Sequence, residues 1–250
     1  MQTVPELLRR DILIDWLVPL GRSARLAAGL VLPTGIKFSW ADFKEQCRWM
    51  GIESLPLVTL AAIFVGIALT LSTVMELQRY GMTDMSGTVI TPLLLRELGP
   101  LTVSLAWCAR VAARLANESQ NFDVSASDRE FSQRYMLVRL LAGYFVAVPL
   151  ATYGLVVGYL AAAMFAPTLG VSSMSDFMDS SRLVVTNRDI TVYFVKLILI
   201  NPTIAVFCGS LFGRFAKGDD GMSASSRAVT AAFLAGYLAN AVFSLSVYMP

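Results

Sequence analysis

Five long apolar runs, roughly 55–75, 89–113, 137–165, 191–212 and 228–249, alternate with polar segments such as LQRYGMTDMSG and GRFAKGDDGMSASSR. Each run supplies the roughly 20 residues that a helix needs to cross about 30 Å of hydrocarbon at about 1.5 Å per residue. The pattern predicts an all-α membrane protein with five transmembrane helices. Ahead of the first run the pattern changes. Ile36, Trp40, Phe43, Cys47 and Met50 recur at helical spacing, with Lys37, Lys44, Glu45 and Arg48 on other faces. That spacing predicts an amphipathic helix in the membrane interface with its aromatics at headgroup depth; a cytoplasmic helix packed on the domain is the other reading. An upstream helix is predicted over 5–20, with Pro5 in its first turn, and Pro33-Thr34-Gly35 separates the two. Residues 1–53 are thus expected to form the cytoplasmic or interfacial helices, and 54–250 the five-helix transmembrane domain.

Composition agrees with lipid as the solvent. Hydrophobic residues make up 56% of the chain and charged ones 15%, with a mean hydropathy of +0.61, whereas ordinary globular domains carry about 25% charged residues. Fifteen basic residues fall before the first run or in and around the second and fourth polar segments, against three (Arg79, Arg182, Arg188) on the other side. This bias predicts a cytoplasmic N-terminus and an external C-terminus. The opening MQTVPELLRRDILIDW has acidic residues and broken apolar runs, unlike a cleavable signal peptide.

The same inventory excludes several chemistries. A net charge of +2 is too small for a nucleic-acid partner. The chain has no His, so Ser-His-Asp and Cys-His constellations are absent, and no catalytic residue, metal or cofactor is implied. Cys108 and Cys208 lie inside apolar runs and read as small buried hydrophobes. The string GRFAKGDDG lacks the Gly-Lys-Ser/Thr ending of a phosphate loop, so any use of ATP falls to a separate chain.

Small residues recur at every fourth position. Gly154, Gly158, Ala162 and Ala166 form one stripe, Gly209 and Gly213 another, and Ala232, Gly236, Asn240 and Ser244 a third. Such spacing lets membrane helices approach closely, and Asn240 can hydrogen-bond across the contact.

The stretch LLLRELGPL, 93–101, is the exception within these apolar runs, because it holds Arg96, Glu97 and Pro100. A span beginning near Val89 places both charges about 10 Å deep, where an insertion cost of about 2.5–3.5 kcal/mol each favours burial in protein or a watery cavity. Glu97 shares a helical face with Leu101, Ser104 and Cys108; Arg96 shares another with Pro100, Val103 and Trp107. Pro100 withholds the amide that would bond the carbonyl of Arg96, which predicts a kink. Either the helix begins late, near Leu98, with the charges in an outer loop, or a kinked helix offers Glu97 to a cavity or a subunit seam. In the fourth run, Asn201-Pro202 predicts a second break whose freed backbone the Asn amide can satisfy. Lys196 is expected near the outer end, snorkelling to headgroups. The outer segment 166–189 is a candidate docking surface.

The residues Ser54-Leu55-Pro56-Leu57, Phe64-Val65-Gly66, LLRELGPL, Ala109-Arg110, Ala113 and Glu118, with RLLAGYFVAVPL and GDDGMSASSRAV further on, resemble the MlaE/YrbE permease family over roughly 36–250. These are the membrane subunits of ABC lipid transporters that work with MCE proteins. The resemblance implies a second permease copy, a cytoplasmic ABC ATPase, an MCE-type substrate-binding protein outside, and lipid moving through a cavity between the permeases. It places Arg96, Glu97, Pro100, Leu101 and Ser104 on the substrate pathway. Glu118, Asp128, Arg129 and Phe131 become candidates for ATPase coupling, and Gly154, Gly158, Gly209, Gly213, Gly236 and Asn240 for helix packing. One departure stands out. The stretch ESQNFDVSASDREFSQRY keeps Glu118 but lacks the family's Glu-Gln and Ala-Leu pairs, and offers at most a short helix over 128–135 capped by Ser127. That departure fits one half of a heteromeric permease whose partner does most of the coupling, or a diverged member with a different ATPase contact. The alternative function is a non-transporting membrane scaffold that anchors partner proteins.

Overall fold

The computed structural model describes residues 39–122, 127–215 and 221–248, together with Leu26, Ala27 and Leu30. The helix predicted over 5–20, the Pro33-Thr34-Gly35 break and Gly218-Asp219-Asp220 lie outside the described residues. Seven helical elements follow in order: α1 (Trp40–Met50), α2 (Leu55–Arg79), α3 (Thr83–Gln120), α4 (Asp128–Leu169), α5 (Met174–Arg182), α6 (Asn187–Arg214) and α7 (Gly221–Tyr248). No strand occurs among the described residues. Helices α2, α3, α4, α6 and α7 are each long and apolar enough to cross a membrane, as the five apolar runs predict.

The starts of the helices follow local chemistry. Ser39 Oγ accepts from the Asp42 amide at 3.3 Å to open α1, and Ser127 Oγ accepts from Glu130 at 3.2 Å to open α4. Pro56 stands in the first turn of α2, where a missing N–H costs nothing. The short helix predicted over 128–135 is not a separate element. Its Ser127 cap is present, but the chain runs on through a widened turn at Ser132–Met136 into the third span.

Helix α1 is packed against the bundle along one side and open at its start. Its C-terminal half is sealed against α4, with Trp49 and Met50 buried and Phe43 against the Phe145 ring at 6.0 Å, while Trp40 at its start is 68% exposed. Trp107 Nε1 donates to the Met50 carbonyl at 2.9 Å, and Arg110 donates to the Trp49 carbonyl and to Glu53, joining the α1–α2 corner to α3.

Helix α3 occupies the centre, packed against α2, α6 and α7, while α4 packs chiefly on α2 and also reaches α3 and α6. The seams are lined by small residues. At α2–α4, Gly66 lies directly on the Gly158 carbonyl and Gly158 on Ala62, while Gly154 faces Val58 and Val103. At α3–α6, Gly209 meets Ala112 and Leu115, and Gly213 meets Ala116 and Ser119. At α3–α7, Ala112 and Ala116 meet Ala228 and Ala232, and Gly236 lies near Leu105. A side chain at Gly213 would have to occupy space held by the Ala116 carbonyl and Ser119 Oγ. Gly213→Leu is therefore expected to destabilise the bundle by about 1–3 kcal/mol through overpacking, read as a lower thermal midpoint of the detergent-purified protein. An unchanged midpoint would mean that this contact is loose.

Large apolar side chains cover the outside: Phe64 and Met75 on α2, Phe145 and Met164 on α4, Leu238 and Val242 on α7 are all more than half exposed. This distribution suits a solvent of acyl chains.

Candidate functional site

Helix α3 does not start near Leu98. It is helical from Ser86 onward, and the LLREL segment (Leu94–Leu98) is a π turn, one residue wider than an α turn, followed by Gly99 and Pro100. The break predicted at Pro100 takes this form because an extra residue relieves the clash between the proline ring and the preceding turn. Gly99 fits there because a Cβ would strike the Leu94 carbonyl. Helix α6 repeats the arrangement: a π turn at Lys196–Ile200, then Asn201 and Pro202.

The two wide turns face each other, and four charges gather around them. The Arg96 guanidinium binds Asp189 through two hydrogen bonds, Nε to Oδ1 at 2.7 Å and Nη2 to Oδ2 at 3.1 Å. This fork geometry is the strongest form of such a pair. Asp189 is only 1% exposed and also accepts from Tyr248 Oη at 3.0 Å, Thr186 Oγ1 at 2.8 Å and the Thr186 amide at 3.2 Å. Thr186 and Asp189 form the capping box that opens α6. The Arg96 and Arg188 guanidinium groups lie over the Tyr248 ring at 5.1 and 5.4 Å.

Lys196 does not snorkel. It is fully buried, pointing inward from α6, and its three N–H donors are all used: on the Arg96 carbonyl, on Ser244 Oγ at 2.6 Å and on Glu97 Oε2 at 3.4 Å. Pro100 supplies no amide to the carbonyl four residues back, and the ammonium binds that carbonyl instead. Ser244 Oγ donates in turn to Glu97 Oε2 at 3.1 Å. Glu97 keeps 46% of its side-chain surface open beside α7. The cluster thus presents a carboxylate at the bundle surface with an ammonium directly behind it.

The other residues assigned to the substrate pathway divide. Leu101 stays partly open beside Glu97, but Pro100 and Ser104 are buried, and Ser104 Oγ is spent on the Leu101 carbonyl at 2.9 Å. They form part of the core and not of a surface, because the face shared by Glu97, Ser104 and Cys108 turns under α6 below Leu101. Ser104 instead lines a small void of about 10 Å³ with Trp107, Leu197 and Asn201. A second void of this size lies between Ala62, Gly99 and Tyr193. Neither admits more than a water-sized body.

At the opposite end of the bundle, Glu118 binds Arg114 at 2.8 Å and Arg139 at 3.2 Å, and Arg139 stacks on the Tyr135 ring at 3.4 Å. These side chains, with Asp42, Glu45 and Arg134, wall an open polar cavity of about 450 Å³. Asp128 and Arg129 reach the surface nearby. Phe131 does not. It is fully buried, stacked on Tyr135 at 4.9 Å and edge-on to Phe122 at 5.3 Å, so its part is internal packing.

Asp189 and Tyr248 escaped the reading of the sequence. The signal for Asp189 was Thr186-Asn187-Arg188-Asp189 at the head of an apolar run, an acid three residues after a helix-capping Thr. No spacing rule points to Tyr248.

Five long apolar helices, close small-residue seams and a paired charge cluster set within them describe a multi-pass membrane protein. A family described as Permease MlaE matches residues 43–246, and the chain belongs to it. Among its relatives is the chloroplast protein Trigalactosyldiacylglycerol 1 of Arabidopsis thaliana, 25% identical over 90% of this chain and 67% of that one. The MlaE permease of the intermembrane phospholipid transport system of Haemophilus influenzae is 28% identical, over 42% of this chain and 41% of its own length. A probable ABC transporter permease of Synechocystis is 24% identical over 78% of each.

Proposed function

We propose that this chain is the permease subunit of an ABC-type lipid transporter, moving a phospholipid or a similar hydrophobic molecule past Glu97. The observation that carries this reading is the half-open carboxylate of Glu97, backed by the buried Lys196, within an apolar span. The voids beside Ser104 and Gly99, about 10 Å³ each, are too small for an acyl chain. The route belongs on the outer surface beside Glu97 and Leu101. There α7 presents Leu234, Tyr237, Leu238, Val242 and Leu245 as an uncovered apolar strip, which suits a second permease copy enclosing the path. The polar cavity at Glu118 is the place for a cytoplasmic ATPase, a separate chain that hydrolyses the ATP. The other end, with α5, is the place for an MCE-type partner. This puts the N-terminal segment 1–53 on the cytoplasmic side of the inner membrane and the end of domain 54–250 outside. The names of the relatives, two of them tied to lipid and a third to ABC transport, support the same assignment.

The test is transfer of labelled phospholipid by the reconstituted complex. Glu97→Gln and Glu97→Ala are expected to lower transfer about tenfold or more, roughly 1.4 kcal/mol or more of lost coupling, while the complex still assembles. Transfer at the wild-type rate in both variants would favour the scaffold alternative.

A further inference from the structure

We propose that Asn201 is a positioning residue of this site, one that holds Lys196 in register with Arg96 and Glu97. The inference rests on the transport reading above only for its effect on lipid transfer; its geometric part stands apart from that reading.

The wide turns of α3 and α6 are built alike but closed differently. In α3 the residue before the proline is Gly99, which closes its turn through its backbone amide on the Leu94 carbonyl. In α6 the equivalent residue is Asn201, and it grips the corresponding carbonyl twice. The Asn201 amide and the Asn201 Nδ2 both donate to Lys196 O, the latter at 2.8 Å. Asn201 is 1% exposed. Its own carbonyl accepts from Cys108 Sγ of α3 at 3.4 Å, and its Oδ1 accepts from Asn240 Nδ2 of α7 at 3.4 Å. The clasp therefore sits where α3, α6 and α7 meet.

The clasp matters because of helical geometry. A π turn holds one residue more than an α turn, and each residue advances the helix by about 100°. If the turn relaxed to α, the segment ahead of it would rotate by about that angle. Lys196 is the first residue of the turn, and its ammonium would swing off the Arg96 carbonyl and Glu97. Pro202 cannot oppose the change, because it has no amide to donate. The side-chain amide of Asn201 places a second donor on the Lys196 carbonyl, and it fixes the backbone of the one residue whose direction the site depends on.

The chain has four lysines, at 37, 44, 196 and 217, so a small membrane-permeant amine reagent with peptide mass analysis reads Lys196 individually. In the intact complex Lys196 is expected to be protected, with Asn201→Ala raising its labelling by about tenfold and lowering lipid transfer about as much. Asn201→Gln, which keeps the donor, is expected to restore part of both. Asn240→Ala removes the tie to α7 but leaves the clasp, and Lys196 is expected to stay protected. If Asn201→Ala does not give a monodisperse protein, Asn201→Asp keeps the size and Oδ1 while dropping the donor, and the same labelling is expected. Protection of Lys196 in Asn201→Ala and Asn201→Asp would overturn the proposal, as would equal exposure in Asn240→Ala, which would reduce Asn201 to general packing. Exposure with transfer intact would overturn its part in transport. A wild-type complex that moves no lipid would sink the transport reading and leave the labelling result to decide the clasp.

Discussion

Asp189→Ala is expected to destabilise the protein by about 2–3 kcal/mol, among the largest effects of any single substitution here. Removing one partner of a buried ion pair typically costs about 3–5 kcal/mol because the remaining charge is left uncompensated. The Arg96 guanidinium keeps 37% of its surface open, which lowers the figure. Loss of the capping box at the head of α6 adds to it, since a helix cap contributes about 1 kcal/mol. Tyr248, which donates to the same carboxylate, would lose its anchor at the end of α7. Thermal unfolding of the purified protein measures the effect. Replacing both partners, Arg96→Leu with Asp189→Leu, is expected to recover much of the lost stability, because no orphan charge remains. If the single variant unfolds with the wild-type midpoint, the pair does not hold α3 to α6.

Lys196→Met is expected to separate stability from function. Methionine fills a similar volume, and removing a buried ammonium relieves its desolvation. Against this, the Arg96 carbonyl loses its donor, a cost of about 1–3 kcal/mol for a buried acceptor. These terms are opposed and comparable, so the midpoint should move by only a few degrees, at roughly 2–4 °C per kcal/mol for a chain of this size. Lipid transfer, by contrast, is expected to fall about tenfold or more, since Glu97 would face the pathway with no cation behind it. Transfer close to wild type would remove Lys196 from the mechanism and leave Glu97 to act alone.

Much of the fold was legible in the chain. The five spans lie where the apolar runs do, because about 20 consecutive apolar residues have no other stable arrangement in a bilayer. The small-residue stripes fall on the helix seams because only Gly and Ala permit that approach, as Gly66 on Gly158 and Gly213 on Ala116 show. The candidate site was half legible. Arg96 and Glu97 announced themselves as charges in an apolar run. The partner of Arg96 did not, because Asp189 stands 93 residues away in a polar stretch that looks like loop. Lys196 was misread as snorkelling, since depth along a helix says nothing about which face turns inward. Phe131 was misread as a docking residue for a similar reason: an aromatic next to a turn is as easily buried against Phe122 and Tyr135 as exposed.

By itself, then, the order of residues determined the number of spans, roughly which stretch each occupies and the fact that two of them break before a proline, all of which follow from hydropathy and backbone chemistry acting over a few neighbouring positions. Only the tertiary structure decided that the breaks take the form of π turns and meet face to face. It also decided that Lys196 caps the carbonyl opened by Pro100, and that Glu97 alone of its stripe combines a charge with an open surface. Those outcomes depend on how each helix is rotated about its axis against its neighbours, and that rotation is set by packing between segments roughly a hundred residues apart.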